Sequence, residues 1–281
     1  MKCMSNELYC ILPPRLRSRI ASDELPALQE IRLRIDKPVS IRTDTGIKPL
    51  DTSVTKDDLS FVINAASHYS PWNAVTAAKG YLTAPGGHRI GICGDVVVNN
   101  GQVQGIRTPT SICIRVAKDF PGIGRAVDLR DSILILGPPG SGKTTLLRDL
   151  IRRICNEDRG TVSVVDERAE IFPHVGGKPC FDSGNTVDIL TGCCKPCGIE
   201  MVLRSMGPDW IAVDEITAVQ DCEALSQAGW CGVKLLATAH ASGVQDLMQR
   251  EIYRSLVQMK LFRHVVILRR DKSMTIERMI L

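Results

Sequence analysis

The sequence predicts an α/β protein in which a small α+β N-terminal domain precedes a C-terminal domain with a parallel sheet. From residue 132 onward, short apolar runs alternate with helical segments, an order typical of a parallel sheet covered on both faces. Before residue 120, short strand-like runs separated by glycine- and proline-containing turns indicate a mainly antiparallel sheet. We expect an N-terminal domain at 1–122, a linker at 123–131 and a C-terminal domain at 132–281.

The composition is that of an ordinary globular protein. Of the 281 residues, 44% are hydrophobic, 23% are charged and only 4% are aromatic, so the cores must be mainly aliphatic. The net charge of +4 is too small to indicate nucleic-acid binding by itself. No run approaches the ~18 apolar residues of a membrane span, and no signal peptide is evident. We therefore expect a cytoplasmic protein whose 11 cysteines are reduced thiols.

The N-terminal elements follow from periodicity and turn chemistry. Apolar residues at helical spacing indicate helices within 1–30, interrupted by Pro13 and Pro14. Strict alternation of Ile31, Leu33 and Ile35 predicts a half-buried strand. The other elements predicted here are a strand at 39–42, a helix at 55–67, a short helix at 74–79, three strands within 80–101 and a strand at 110–116.

The C-terminal elements are predicted from apolar runs with helical segments between them. A helix is expected from 144 to about 155, directly after the first strand and a glycine-rich loop. Strands are predicted at 133–136, 161–165, 210–213, 233–237 and 264–268, followed by a final hairpin partner at 274–280.

The stretch ILILGPPGSGKTTLL at 133–147 carries the most specific motif. It fits G-x-x-x-x-G-K-[ST] and lies between a strand and a helix, the context that a phosphate-binding P-loop requires. Its glycines allow consecutive backbone N–H groups to face a phosphate, and the helix start adds a positive dipole end. We predict that ATP is bound by Gly137, Pro138, Pro139, Gly140, Ser141, Gly142, Lys143, Thr144 and Thr145.

Two residues of this loop have distinct predicted roles. Lys143 supplies a compact positive charge for the β- and γ-phosphates, and the hydroxyl of Thr144 is a ligand for Mg²⁺. ATP and Mg²⁺ are therefore the expected substrate and cofactor.

A second strand must bring a carboxylate beside the metal. Asp214 and Glu215 follow the apolar run at 210–213, and we predict that Asp214 is the metal-side carboxylate and Glu215 the water-activating base. Asp166 and Glu167 follow a similar run and should lie at the same carboxyl edge of the sheet. Glu167 either assists at the metal or water, or is a solvated charge paired with Arg168.

Two further residues are candidates at this edge. His240 follows the strand at 233–237 and is predicted to sense the γ-phosphate, the alternative being a structural histidine. Arg204 precedes the strand at 210–213; it either faces the nucleotide of a neighbouring subunit or is a surface helix residue.

The motifs VVDERAEI at 164–171, LRSMGPDWIAVDEI at 203–216 and LLATAHA at 235–241 resemble the secretion branch of the P-loop ATPases, the motors of type II and type IV secretion. A closer resemblance is to the stage III sporulation protein AA family, through EIRLRIDKPVSIR at 30–42, GYLTAPGGHRIGICGDVV at 80–97 and SICIRVAKDFPGIG at 111–124. The resemblance covers residues 28–281, although Thr217 to Gln220 stand where secretion ATPases usually carry an arginine.

This resemblance implies a RecA-like ATPase of the mother cell in endospore-forming bacteria. It implies a homo-oligomeric ring, expected to be a hexamer, that energises membrane-embedded sporulation channel proteins. In that branch, N-terminal arginines reach the nucleotide of a ring neighbour, and the matching positions are Arg89, Arg107 and Arg115. Each of them is otherwise an outward strand residue.

Other functions remain open from the sequence. An ATPase linked to nucleic-acid binding is the main alternative, although the low charge and few aromatic residues do not favour it. A small-molecule kinase would need a cluster of lid arginines after the core, and a non-enzymatic scaffold would not need both Asp214 and Glu215. Finally, Cys194 and Cys197 have metal-knuckle spacing, with Cys180 and Cys193 nearby, but a single such pair is a weak zinc signal.

Overall fold

A computed structural model of the chain describes residues 5–21, 24–67, 80–99, 101–175 and 177–279. The chain divides into two compact units. Unit 1 comprises residues 1–119 and 173–181, and unit 2 comprises residues 120–172 and 182–281. The sequence-based division places 173–181 in the C-terminal domain, whereas in the structure this segment groups with unit 1. The short helix predicted at 74–79 lies outside the described residues.

Unit 1 is built on a six-stranded sheet of order β3-β2-β1-β6-β5-β4, in which all neighbours are antiparallel. Its strands are β1 (Glu30–Arg34), β2 (Pro38–Thr43), β3 (Gly46–Ser53), β4 (Tyr81–Thr83), β5 (Arg89–Asn99) and β6 (Gln102–Arg115). The mainly antiparallel sheet that the sequence predicts is confirmed. The strand predicted at 110–116 is the second half of β6, which is one continuous strand.

In the part of unit 1 that the structure describes, one face of this sheet is covered by the helices α1 (Ser5–Ile11), α2 (Pro14–Arg17) and α3 (Lys56–Ser67). Pro13 separates α1 from α2, as expected for a residue that has no N–H to donate. Alternating residues of the strands, such as Ile31, Leu33 and Ile114, are fully buried in an aliphatic core. The remaining residues of each strand therefore point to the opposite face of the sheet.

Unit 2 contains a seven-stranded sheet of order β11-β8-β12-β13-β7-β14-β15. All neighbours are parallel except β14 and β15, which form the antiparallel edge. The strands are β7 (Ile133–Leu136), β8 (Val162–Asp166), β11 (Val187–Thr191), β12 (Trp210–Val213), β13 (Lys234–Ala239), β14 (His264–Leu268) and β15 (Met274–Arg278). The two-residue strands β9 (His174–Val175) and β10 (Lys178–Pro179) belong to unit 1.

The central strands of unit 2 are buried on both faces, as the predicted α/β arrangement requires. The helices that connect the strands are α4 (Lys143–Asn156), α5 (Lys195–Ser205), α6 (Val219–Trp230), α7 (Val244–Gln249) and α8 (Arg254–Gln258). Within the described ranges, no helix is both long and apolar enough to cross a membrane. The carboxyl ends of the parallel strands meet at one edge of the sheet, where the candidate site lies.

The segment predicted as a linker is packed within unit 2. The carboxylate of Asp149 on α4 accepts the backbone N–H groups of Gly122 and Gly124 at 2.7 and 2.8 Å. Arg153 donates to the carbonyl oxygen of Val127 at 3.0 Å. These bonds attach the start of the expected linker to α4 of unit 2.

Candidate nucleotide site

The site begins at a tight loop between β7 and α4. Gly140 and Gly142 have φ angles of +74° and +103°, a region that favours glycine, so the loop needs these residues to turn into the helix. Gly137 is required for a different reason, because a Cβ atom there would lie 2.6 Å from the carbonyl oxygen of Leu268. The sequence therefore produces the strand, loop and helix order that the motif predicts.

Lys143, the first residue of α4, points back across this loop. Its Nζ atom lies 3.2 Å from the carbonyl oxygen of Pro138 and 3.1 Å from Nδ1 of His240. The side chain is buried, and this burial lowers the pKa of Lys143, while the negative charges of Asp214 and Glu215 act in the opposite direction. An ammonium group whose positive charge is only partly balanced by nearby carboxylates can still pair with a phosphate group.

Thr144 and Asp214 meet directly. The Thr144 hydroxyl donates to Oδ2 of Asp214 at 2.6 Å, and the Thr238 hydroxyl donates to Oδ1 of the same carboxylate. These three residues come from the start of α4, the end of β12 and the end of β13. Their convergence creates an oxygen-rich position of the kind that Mg²⁺ prefers.

Glu215 is held beside this pair by its backbone and its side chain. Its N–H donates to the hydroxyl oxygen of Thr238 at 2.8 Å, and its φ angle is +50°, an uncommon value for a residue with a side chain. One carboxylate oxygen lies 3.1 Å from Nε2 of His240, and the other lies 3.7 Å from the guanidinium of Arg168. The carboxylate is about one-third exposed, so water can reach it.

The two ring nitrogens of His240 face different groups. Nδ1 lies 3.1 Å from Nζ of Lys143 and 3.3 Å from the carbonyl oxygen of Gly137, whereas Nε2 lies 3.1 Å from a carboxylate oxygen of Glu215. His240 therefore connects the residue predicted to bind phosphate with the residue predicted to activate water.

Asp166 and Glu167, at the end of β8, have separate roles. The buried carboxylate of Asp166 accepts the backbone N–H groups of Glu170, Ile171 and Phe172 at 2.8, 2.9 and 2.9 Å. Burial raises the pKa of Asp166 to about 6 against the opposing effect of these bonds. Asp166 therefore organises the loop that follows β8.

Glu167 forms its ion pair with Lys195 at 2.6 Å, whereas the alternative given for it from the sequence was a solvated charge paired with Arg168. Lys195 is the first residue of α5 and is buried, and its Nζ atom also lies 4.0 Å from Asp221. Sequence analysis did not identify Lys195, because the contact joins residues 28 positions apart and no motif links them. One open pocket is lined by Val165, Asp166, Glu167, Arg168, Glu170, Lys195, Asp214, Glu215 and Thr217.

Arg204 belongs to unit 2, and the three N-terminal arginines belong to unit 1. Arg204 is in the last turn of α5, is exposed, and pairs with Glu200 at 2.7 Å. In unit 1, Arg89 lies over the ring of Tyr81 and is in register with Arg115 on the neighbouring strand. Arg107 is exposed on β6. The roles suggested for these four arginines stay predictions.

The cysteines named as metal candidates do not form one cluster. Cys180 belongs to unit 1, whereas Cys193, Cys194 and Cys197 lie in unit 2 at the start of α5. Across the described parts of the chain, no group of three or more His, Cys, Asp or Glu side chains is placed to hold a metal ion.

The residues of the loop fit a phosphate ligand and a hard cation. Ser141 Oγ is buried at the loop without a hydrogen-bond partner in the described structure, beside the positive-φ glycines and Lys143. The oxygen donors of Thr144 and Asp214 suit Mg²⁺. A nucleoside triphosphate with its bound metal ion requires groups of these two kinds.

Comparisons with known proteins agree with this geometry. Residues 3–279 match the sequence model of the family described as "Sporulation stage III, protein AA". The chain is 34% identical over 282 residues to "Stage III sporulation protein AA" of Bacillus subtilis (strain 168), with 95% of this chain and 92% of that protein covered.

Solved structures share the fold at low sequence identity. The pilus retraction motor PilT, solved with bound ADP, has a TM-score of 0.61 at 16% identity, covering 85% of this chain and 74% of that one. The Legionella pneumophila ATPase DotB has a TM-score of 0.55 at 17% identity, covering 90% and 76%. With the P-loop geometry and the family match, these findings show that the chain belongs to the sporulation stage III protein AA family and has the fold of the P-loop secretion ATPases.

Proposed function

We propose that this chain is a Mg²⁺-dependent ATPase that works as an oligomeric motor. The observation that carries the proposal is the convergence of Lys143, Thr144, Asp214, Glu215 and His240 at one edge of the unit 2 sheet. A site that only bound nucleotide would need the loop and Lys143. It would not need a carboxylate of Glu215 held by His240 and open to water.

The binding role belongs to the loop and the first turn of α4. Backbone N–H groups at 140–145, together with Ser141 and Lys143, would surround the phosphates of ATP. Thr144 and Asp214 would hold Mg²⁺, which neutralises phosphate charge when bound. The hydrogen bond of 2.6 Å between them keeps both of these proposed metal ligands in place.

The hydrolytic role belongs to Glu215 and its neighbours. Its carboxylate would accept a proton from, and orient, a water for in-line attack on the γ-phosphorus, while Lys143 stabilises charge on the phosphate oxygens. His240 bonds to both residues and so is placed to respond to the γ-phosphate. Glu167, fixed by Lys195, would assist through the water network of the same pocket.

The family and the fold support a wider proposal. The chain would assemble as a homo-oligomeric ring, expected to be a hexamer, with Arg89, Arg107 or Arg115 of one subunit completing the site of the next. Arg204 would serve the same interface. The ring would act in the mother cell, in contact with membrane-embedded sporulation channel proteins, and would energise a secretion-like channel.

One specific observation keeps the nucleic-acid alternative as a second candidate. The sheet face of unit 1 that does not contact the core carries Arg32, Arg34 and Arg115 beside Glu30, which pairs with Arg32, so this face has an excess of positive charge in a protein whose net charge is only +4. Stimulation of turnover by single-stranded RNA or DNA at physiological salt would favour this candidate.

The direct test is phosphate release by the purified full chain with ATP. We expect turnover that requires Mg²⁺ and stops when EDTA is added, together with saturable binding of a fluorescent ATP analogue. Binding without Mg²⁺-dependent phosphate release, measured over a range of protein concentrations, would contradict an enzymatic role.

A further inference from the structure

The sequence Cys194-Lys195-Pro196-Cys197 lies at the start of α5. Cys194 is the N-cap residue of this helix, and Cys197 lies in its first turn. Both thiols are exposed, and their Sγ atoms are 2.7 Å apart. The metal interpretation of this spacing has no third ligand among the described residues. The pair therefore needs another chemical explanation.

The position of Cys194 favours attack on an oxidant. N–H groups in the first turn of a helix have no partner within the helix, and their positive end stabilises an anion at the N-cap. Cys194 makes no side-chain capping bond and its side chain is exposed, so an oxidant can reach its sulfur. Pro196, in the first turn, fixes the backbone between the two cysteines.

The position of Cys197 suits a thiol that reacts after Cys194 has been oxidised. Its hydrogen bond with Cys194, and then the charge of Cys194, raise the pKa of the Cys197 thiol. Because its sulfur lies 2.7 Å from that of Cys194, Cys197 is placed to be the second thiol of the pair. Cys193, the other thiol in this segment, packs near Gly198 and Val165. Burial is the main cause that raises the pKa of its thiol.

We propose that Cys194 and Cys197 form a reactive dithiol that exchanges with a disulfide oxidant and closes into an intramolecular disulfide. The Cys194 thiolate attacks one sulfur of the oxidant, forming a mixed disulfide and releasing the other sulfur as a thiolate. Cys197 then loses its proton to solvent and attacks Sγ of Cys194, releasing the second thiolate. The two protein thiols are oxidised, and one disulfide is reduced to two thiols.

Formation of the disulfide should also affect ATP turnover through Lys195, an expectation that rests on the proposed function. Lys195 stands between the two cysteines, and its Nζ atom lies 2.6 Å from Glu167 in the pocket that also contains Glu215. Drawing the sulfurs to the bond length of about 2.05 Å constrains the first turn of α5. We therefore expect oxidation to slow ATP turnover by displacing Lys195 from Glu167.

The first test follows the disulfide itself. The full chain is equilibrated in glutathione buffers of graded ratio, free thiols are blocked, and peptides containing residues 193–197 are identified by mass spectrometry. We expect a peptide lighter by two hydrogens with the bond assigned to Cys194 and Cys197, both in the wild type and in Cys193→Ser. Cys197→Ser should trap glutathione on Cys194, and Cys194→Ser should trap none on Cys197.

The outcomes separate the two parts of the inference. A disulfide that involves Cys193, or thiols that stay free in the most oxidising buffer, would overturn the dithiol assignment. Turnover of Cys193→Ser should fall several-fold on oxidation and recover with dithiothreitol, whereas Cys194→Ser should not respond. A disulfide without any change in turnover would overturn the coupling through Lys195. If no sample hydrolyses ATP, the proposed function fails while the peptide result stands.

Discussion

The hydroxyl oxygen of Thr144 lies 2.6 Å from Oδ2 of Asp214, although the two residues are 70 positions apart in the chain. Thr238 donates to the other oxygen of the same carboxylate, so Asp214 is oriented from both sides. Both hydroxyls come from elements whose ends meet at the carboxyl edge of the sheet. The fold thus brings together the oxygens that we propose as ligands for Mg²⁺, and donors that are held in place in this way lower the cost of assembling a site.

Replacement of Lys143 tests the phosphate-binding role. We expect Lys143→Met to weaken ATP binding by about 10- to 100-fold, because a charge-assisted contact to phosphate contributes roughly 1.5–3 kcal/mol. Isothermal titration or a fluorescent nucleotide measures the change. The matched control is Lys234→Met, because Lys234 begins β13 at the opposite end from His240 and lies over the ring of Trp210. Equal effects in the two variants would contradict the assignment.

Replacement of Lys195 tests the residue that sequence analysis missed. Lys195→Met leaves Glu167 and Asp221 without their shared cation, and we expect kcat to fall about 10-fold while ATP affinity changes by less than about 3-fold. Lys195→Arg should restore part of the turnover because it keeps the charge. Steady-state kinetics and nucleotide binding separate these effects. A loss of ATP affinity with kcat unchanged would show that Lys195 acts in ATP binding rather than in turnover.

Asp166 predicts a pH dependence of stability. Burial raises its pKa from 3.8 to about 6 in the folded chain, so the folded state binds the proton more tightly than the unfolded state. Its contribution to stability is therefore present below pH 4 and is lost as the pH rises through 6, by on the order of 3 kcal/mol. The free energy of unfolding of the wild type minus that of Asp166→Asn should fall across this window. Denaturant unfolding at several pH values measures it, and a constant difference would refute the shift.

The predicted ring has a specific test by complementation. If an arginine of one subunit completes the site of the next, a mixture of inactive Arg115→Ala and inactive Glu215→Gln chains should regain turnover. The same mixture made with Arg89→Ala or Arg107→Ala identifies which arginine acts. Turnover per chain should also rise with protein concentration, followed beside mass in solution. Full wild-type turnover by a proven monomer would exclude the ring mechanism.

Much of the fold was predictable because buried parallel strands are continuous apolar runs. The central strands β7, β12 and β14 were predicted with their observed bounds for this reason. The edge strands β3 and β11 were missed. β3 contains Pro49 and only two large apolar residues, and β11 is a five-residue strand whose apolar residues do not alternate regularly with its polar ones. Edge strands are half exposed, so their sequences are only weakly constrained by burial.

The candidate site was predictable only where a local motif specified it. The residues that begin α4 and end β12 follow fixed spacing, and the structure brings them together with His240. The partner of Glu167 was not predictable, because it depends on how α5 packs beside β8. The role of Asp166 in organising the loop after β8 was also missed, since it depends on the path of the backbone at 170–172. Contacts of this kind follow from tertiary packing and leave no pattern in one sequence.

The most direct measurement of the central claim compares ATP binding and turnover in the wild type and Glu215→Gln. The substitution keeps the shape of the side chain and removes the base, so we expect ATP affinity within about 3-fold of the wild type and turnover at least ~100-fold lower. Glu167→Gln serves as the matched comparison and should retain more activity. Wild-type turnover in Glu215→Gln would contradict the account and would make Glu167 the better candidate for the base.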